Sequence, residues 1–290
     1  MNTPLRELVT RLELERLEQN LFRGPSKDLG WGRVYGGQVL GQALAAASQT
    51  VPDDRPVHSL HAYFLLAGDV NAPIIYDVDR IRDGGSFTTR RVVAIQHGRP
   101  ILNLAASFQK VEASFDHQDE MPEVPGPEAL EDDRERYRAY GDRLPSFLRD
   151  AIAQETPFET RTIDALSDPI QPEPQPPRRH YWMRAAGNLP DAPWLHCALL
   201  AYASDNNFVV TALQPHGVTW LTPGVMVASL DHTMWFHRPF RMDEWLLYSI
   251  DSPSASGSRG FARGRIFDQG GRLIASTAQE GLTRRTNKAP

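Results

Sequence analysis

The sequence predicts an α+β fold in which two antiparallel sheets each wrap around one buried helix. Two observations predict it: the chain repeats itself at a separation of 171–174 residues, and each half carries one helix that is apolar on nearly every face. "HSLHAYF" (58–64) resembles "SLDHTMW" (229–235), with His61 falling on His232. "PIIYDV" (73–78) matches "WLLYSI" (245–250), with Tyr76 on Tyr248, and "SFTTRRVVAIQHGRPI" (86–101) matches "GFARGRIFDQGGRLI" (260–274). Three weak blocks in one order at nearly one offset make a strong repeat.

The elements follow in chain order. Leu5, Leu8, Val9, Leu12 and Leu17 recur every three to five residues, with Leu8 and Val9 adjacent, among charges, which predicts an amphipathic surface helix rather than a signal peptide. "GGQVLGQALAAASQT" (36–50) is covered by alanine, leucine and valine; a helix apolar on all sides must be buried on all sides. "TTRRVVAIQ" and "GRPILNLAASFQ" alternate between "DGG" and "HG", a hairpin pattern that the second half repeats around "DQGG". "PWLHCALLAYASDNNF" (193–208) is the second buried helix. One buried helix in one antiparallel sheet is the hotdog arrangement, so the expected architecture is a double hotdog with its sheets joined edge to edge. Residues 119–136 hold eight acids against two arginines, and 169–177 hold five prolines. Both read as exposed connector, with a short helix between them in "YGDRLPSFLRDAIAQ". The expected division is 1–111, a connector at 112–178, and 179–290.

Composition narrows the function. The 290 residues carry a formal net charge of −5, which disfavours a nucleic-acid partner. Cys197 is the only cysteine, so no intrachain disulfide forms, in keeping with a cytoplasmic location. No run of about 18 apolar residues occurs, so no membrane span is expected.

Asp205 falls at the end of the second buried helix, and the first has no acid. Beside an apolar segment a carboxylate is costly unless paired or used, and its pKa tends to rise. Alternatively, Asp205 simply stabilises the turn "SDNN". The stretch "ASLDHTMWFHRPF" (228–240) invites three readings: a serine-hydrolase site, a metal site and a buried strand. No G-x-S-x-G occurs, and Asp231 and His232 are too close along a strand to form a relay with Ser229. Strand alternation puts Ser229 and Asp231 on one face and His232 on the other, and separates His232 from His237. Without a further Cys/His cluster no metal is expected, and both histidines read as hydrogen-bonded structural residues. Gln279, near the end of the last strand, is either exposed or able to orient a water through its amide.

Several long stretches together resemble the acyl-CoA thioesterase II family of double-hotdog enzymes. They include "LFRGPSKDLGWGRVYGGQVLGQALAAA" (21–47), "HSLHAYFLLAGD" (58–69), "YASDNNF" (202–208), "LQPHG" (213–217), "DHTMWFHRPF" (231–240) and "ASTAQEG" (275–281). The resemblance implies a fatty acyl-CoA substrate and hydrolysis by an activated water, without a cofactor. It implies Asp205, Ser229 and Gln279 as the catalytic residues, Ser229 standing where many bacterial relatives have threonine. Met226, Met234, Trp235 and Phe236 are candidates for core or for an acyl lining. Arg90, Arg91, Arg259 and Arg263 are candidates for solvated strand positions or for coenzyme A phosphates. A homo-oligomer is expected from the sheet edges. The rivals are a hotdog enoyl-CoA hydratase, which pairs an aspartate with a histidine five residues on where this chain has Val210, and a non-catalytic acyl-CoA-binding protein.

Overall fold

A computed structural model describes residues 1–165 and 168–286. Helix α1 (Thr3–Leu12) starts at Asn2, whose side chain accepts from Leu5 N–H, and buries Leu5, Leu8, Val9 and Leu12. Leu17, expected on the same stripe, is instead exposed on strand β1 (Glu15–Glu18). From Leu12 onward the chain reads Leu-Glu-Leu-Glu, a period of two that ends the helix and starts a strand.

Strand β2 (Leu21–Gly24) pairs with β1, and helix α2 (Gly36–Ser48) follows. Four strands complete the first half: β3 (Val57–Phe64), β4 (Ile74–Asp83), β5 (Phe87–Gln96) and β6 (Arg99–Gln109). The turn from β5 to β6 is His97-Gly98, both at positive φ (50° and 71°), the handedness a two-residue hairpin loop needs. After it come helices α3 (Asp133–Arg138) and α4 (Ser146–Ala153). The second half repeats the order with β7 (Phe158–Thr162), β8 (Arg178–Ala185), helix α5 (Pro193–Ser204), a short α6 (Phe208–Leu213), β9 (Val225–Ser229), β10 (Asp231–Phe236), β11 (Leu246–Ser256), β12 (Arg259–Asp268) and β13 (Leu273–Arg285).

The strands form one antiparallel sheet in the order β1-β2-β4-β5-β6-β3-β10-β13-β12-β11-β8-β7, with β9 pairing β13 off this path. The two halves meet at β3 and β10, where Ala62 lies opposite His232. Each half curls around its own helix, α2 or α5, and the core fills the space between. Sequence span 112–178 is not bare connector: it contributes β7 to the sheet edge, pinned where both Asp133 carboxylate oxygens bind Thr162.

The repeat needs one adjustment. His61 and His232 share a residue type but not a face: His61 is exposed against Trp235, whereas His232 is fully buried. By facing, His232 corresponds to Leu60, the same separation of 172 that relates Tyr76 to Tyr248, both fully buried. Burial with a period of two is the firmer guide to register.

Candidate active site

The two central helices run antiparallel in contact. A Cβ on Gly37 would lie 2.1 Å from the Tyr202 carbonyl oxygen, and one on Gly41 would lie 2.8 Å from that of Ala198. Only glycine permits so close an approach. The consequence is that the N-terminus of α2 meets the C-terminus of α5, and Asp205 caps α5 at that junction. A Cβ on Gly36 would fall 2.6 Å from Asp205 Oδ2 and 2.9 Å from Phe64 Cε1. Gly37 donates its N–H to the Asp205 carboxylate, so free donors and the positive end of a helix dipole face the acid.

Ser229 and Gln279 arrive from the sheet. Strands β9 and β10 both pair with the same edge of β13, but with a slip between them. From Ser229 to Thr233 the chain advances four residues, while β13 advances three from Gly281 to Ala278. This is a one-residue bulge at Leu230 and Asp231. Asp231 turns its carboxylate to accept the Glu280 N–H at 2.7 Å. The bulge cancels one alternation, so Ser229 and His232, three apart, both reach Gln279. The expectation that they face opposite ways is therefore wrong, for a reason that alternation alone does not contain.

The three side chains touch. Ser229 Oγ donates to Asp205 Oδ1 at 3.1 Å, and Gln279 Nε2 donates to Ser229 Oγ at 2.9 Å. Gln279 lies well inside β13 and is 1% exposed, not a solvated strand end. The Asp205 carboxylate draws its partners from Ser229, Gln279 and Gly37, across the junction from the "SDNN" turn. Burial pushes its pKa up to about 6, and those hydrogen bonds hold it from rising further. A carboxylate near 6 is a competent general base at neutral pH.

His232 extends the network: Nδ1 lies 2.6 Å from Gln279 Oε1, and Nε2 lies 2.9 Å from Ser204 Oγ. Burial pushes its pKa down to about 4, so the ring is neutral at pH 7. His237 is a peripheral structural residue bonded to Ser276. Of the candidate lining residues, Met234 and Phe236 are buried in the core, whereas Met226 and Trp235 are exposed. Arg90 is fully engaged inside the first half with Thr50, Asp83 and two carbonyls. Arg91, Arg259 and Arg263 make surface ion pairs with Asp79, Glu280 and Asp251. Burial pushes the Cys197 thiol up to about 12, which removes it as a nucleophile. Among the described residues no group of three or more His, Cys, Asp or Glu stands ready to hold a metal, and no helix is long and apolar enough to cross a membrane.

Aromatic side chains lead from the junction outward. Tyr35 donates to the Tyr202 carbonyl at 3.2 Å and packs on its ring. Trp31 packs on Tyr35 and on Trp220, and Trp220 on Phe147 of α4. Asp28 holds the Trp31 loop by accepting from the N–H groups of Gly30, Trp31 and Gly32. The sequence reading missed Gly36, Gly37 and His232 as parts of the site. The available signal was the pair "GG" opening a helix that had to pack closely on another.

A protein from Alicyclobacillus acidocaldarius, described as having a hot dog fold, superposes with a TM-score of 0.75 over 98% of each chain at 21% identity. The class is thus the hot dog fold, present twice in one polypeptide. The chain belongs to the acyl-CoA thioesterase II family. The family described as "Acyl-CoA thioesterase" matches residues 167–282, and "Acyl-CoA thioesterase N-terminal domain" matches 25–109. "Acyl-CoA thioesterase 2" of Haemophilus influenzae is 45% identical over 98% of this chain and 99% of its own. The human "Acyl-coenzyme A thioesterase 8" is 43% identical over 96% of this chain and 88% of its own. The "Acyl-CoA thioesterase II TesB2" structure from Mycobacterium marinum has a TM-score of 0.77 at 41% identity, covering 98% of this chain and 99% of that one.

Proposed function

We propose that the chain hydrolyses fatty acyl-CoA to a free fatty acid and coenzyme A at the Asp205–Ser229–Gln279 cluster, with water as nucleophile. The observation that carries this is one buried carboxylate bonded to a hydroxyl that is itself bonded to a carboxamide, at a helix N-terminus. Asp205 removes a proton from a water as its oxygen attacks the thioester carbonyl carbon. Ser229 and Gln279 orient that water. The positive end of α2 favours the charge that builds on the carbonyl oxygen. When the tetrahedral centre collapses, the C–S bond breaks and the thiolate takes the proton held by Asp205. A thiolate leaves readily, so no separate strong acid is needed.

Two rival readings have less support. A hydratase of this fold would set a histidine five residues after the aspartate; Val210 occupies that position on α6, and His232 meets Gln279 rather than Asp205. A non-catalytic acyl-CoA binder has no need of a raised carboxyl with two side-chain partners. The division into units 1–111 and 179–290 bridged by 112–178 belongs to the same proposal, with all three reacting side chains in the second unit. A cytoplasmic location and a homo-oligomer also belong to it, and sedimentation of the intact chain decides the latter.

The pH dependence of thiol release tests the mechanism. Asp205 must be ionised to act as base, so kcat/KM rises with pH through about 6 and levels above it. A flat profile between pH 5 and 8, in protein that stays folded, rules this base out.

A further inference from the structure

We propose that His232 is the positioning residue of the site: its Nδ1–H fixes which way the Gln279 carboxamide faces and so aims the Ser229 hydroxyl at Asp205. This rests on the reading of Asp205, Ser229 and Gln279 given above. A carboxamide has a donor end and an acceptor end of nearly equal size, and a half-turn exchanges them at almost no steric cost. For Gln279 the exchange has a chemical consequence. In the orientation present, Nε2 donates to Ser229 Oγ, which leaves the serine hydrogen free to point at Asp205. In the reversed orientation the amide oxygen would face Ser229 Oγ and take that hydrogen, leaving the serine oxygen and the Asp205 carboxylate as two acceptors in contact.

What lies at the far end of the amide decides between these states. His232 Nδ1 sits 2.6 Å from Gln279 Oε1. A protonated Nδ1 requires the oxygen there; a bare Nδ1 requires the NH2. The other ring nitrogen meets Ser204, whose single hydroxyl hydrogen has two acceptors in reach, the Ala201 carbonyl at 3.1 Å and His232 Nε2 at 2.9 Å. An ionised Asp205 takes the Ser229 hydrogen, which turns Gln279 Oε1 toward His232 and puts the ring hydrogen on Nδ1; Ser204 then turns its hydrogen from the Ala201 carbonyl to Nε2. Donors and acceptors then alternate without conflict from Ser204 through His232, Gln279 and Ser229 to Asp205, the residue next to Ser204. The opposite polarity reverses every bond and fails at an ionised Asp205. The Phe208 ring stands edge-on to the imidazole at 5.6 Å, and His232 has no exposed surface, so solvent does not supply a competing partner.

The test compares variants that keep different atoms of the ring. H232N keeps a donor near the Nδ1 position, H232Q keeps a polar group near Nε2 but no donor to Gln279, and H232L keeps neither. We expect H232Q and H232L to lose about tenfold or more in kcat with KM within about twofold, while H232N stays within about fivefold of wild type. Adding H232L to Q279A should cost nothing beyond Q279A alone, because His232 acts only through that amide. Nitrogen NMR of the wild type at pH 8 should find His232 protonated at Nδ1 and bare at Nε2. Equal losses in H232N and H232Q, additive losses in the double variant, or protonation at Nε2 would each overturn the proposal. If H232L does not fold, the H232N–H232Q pair and the tautomer measurement still decide it. Should Q279A and D205N themselves keep near-wild-type activity, the reading of the catalytic cluster fails instead, whatever His232 does.

Discussion

At one end of the helix pair, α5 runs out into Asp205, and the strands beneath present His232 and Gln279. At the other end, α2 runs out into Gln49, and the strands beneath present Leu60 opposite Ala106. The first end holds a linked chain of polar groups around a carboxylate. The second holds Arg90, 1% exposed, spending its guanidinium on Thr50, Asp83 and neighbouring carbonyls. A repeated fold therefore offers two equivalent corners, and the side chains have built a linked polar cluster around a buried carboxylate at one and a closed guanidinium pairing at the other. Fold alone does not assign function to either.

Three experiments break or sharpen that contrast, beginning with the largest effect. At the Asp205 end, Ser229→Ala should lower kcat by about 10²-fold, while Ser229→Thr, which keeps the hydroxyl, should stay within about tenfold. Equal losses in thiol-release assays would mean that the hydroxyl is not what matters. At the structural end, Arg90→Met strips partners from Thr50 and Asp83 and should cost about 2–4 kcal/mol in chemical denaturation, with kcat unchanged. A large loss of turnover in folded Arg90→Met protein would show that the two ends are coupled.

The third effect is smaller and has a defined sign. Folding raises the Asp205 pKa from 3.8 to about 6, so the native state holds this proton more tightly than the unfolded chain. The stabilisation is complete below about pH 4 and is lost as pH rises through about 6. Asp205→Asn is neutral throughout. It should therefore be more stable than wild type by about 3 kcal/mol at pH 8, with the gap closing toward pH 4. A melting-temperature gap that does not change with pH contradicts the burial argument.

The sequence made the repeat legible because Tyr76 and Tyr248, Phe87 and Phe261, and the two all-apolar helices carry strong, periodic signals. It did not reveal β1 and β7. "ERLE" is exposed along its length, so its strand state comes from pairing with β2 rather than from burial. It also misjudged which way His232 faces relative to Ser229, because the one-residue bulge before it leaves no mark in a pattern of alternation. Asp205, Ser229 and Gln279 were visible through family likeness. Their contacts, across 24 and 50 residues of chain, depend on how the bulge and the glycine-to-carbonyl helix contact bring them together.

We place the chemistry at the α5 end and none at the α2 end. Thiol release by Asp205→Asn and Gln49→Ala, the two helix C-caps, each verified as folded, tests that assignment. Asp205→Asn should lose about 10²–10⁴-fold, and Gln49→Ala should keep wild-type turnover. Near-wild-type hydrolysis by Asp205→Asn, or parallel losses in both, would contradict it.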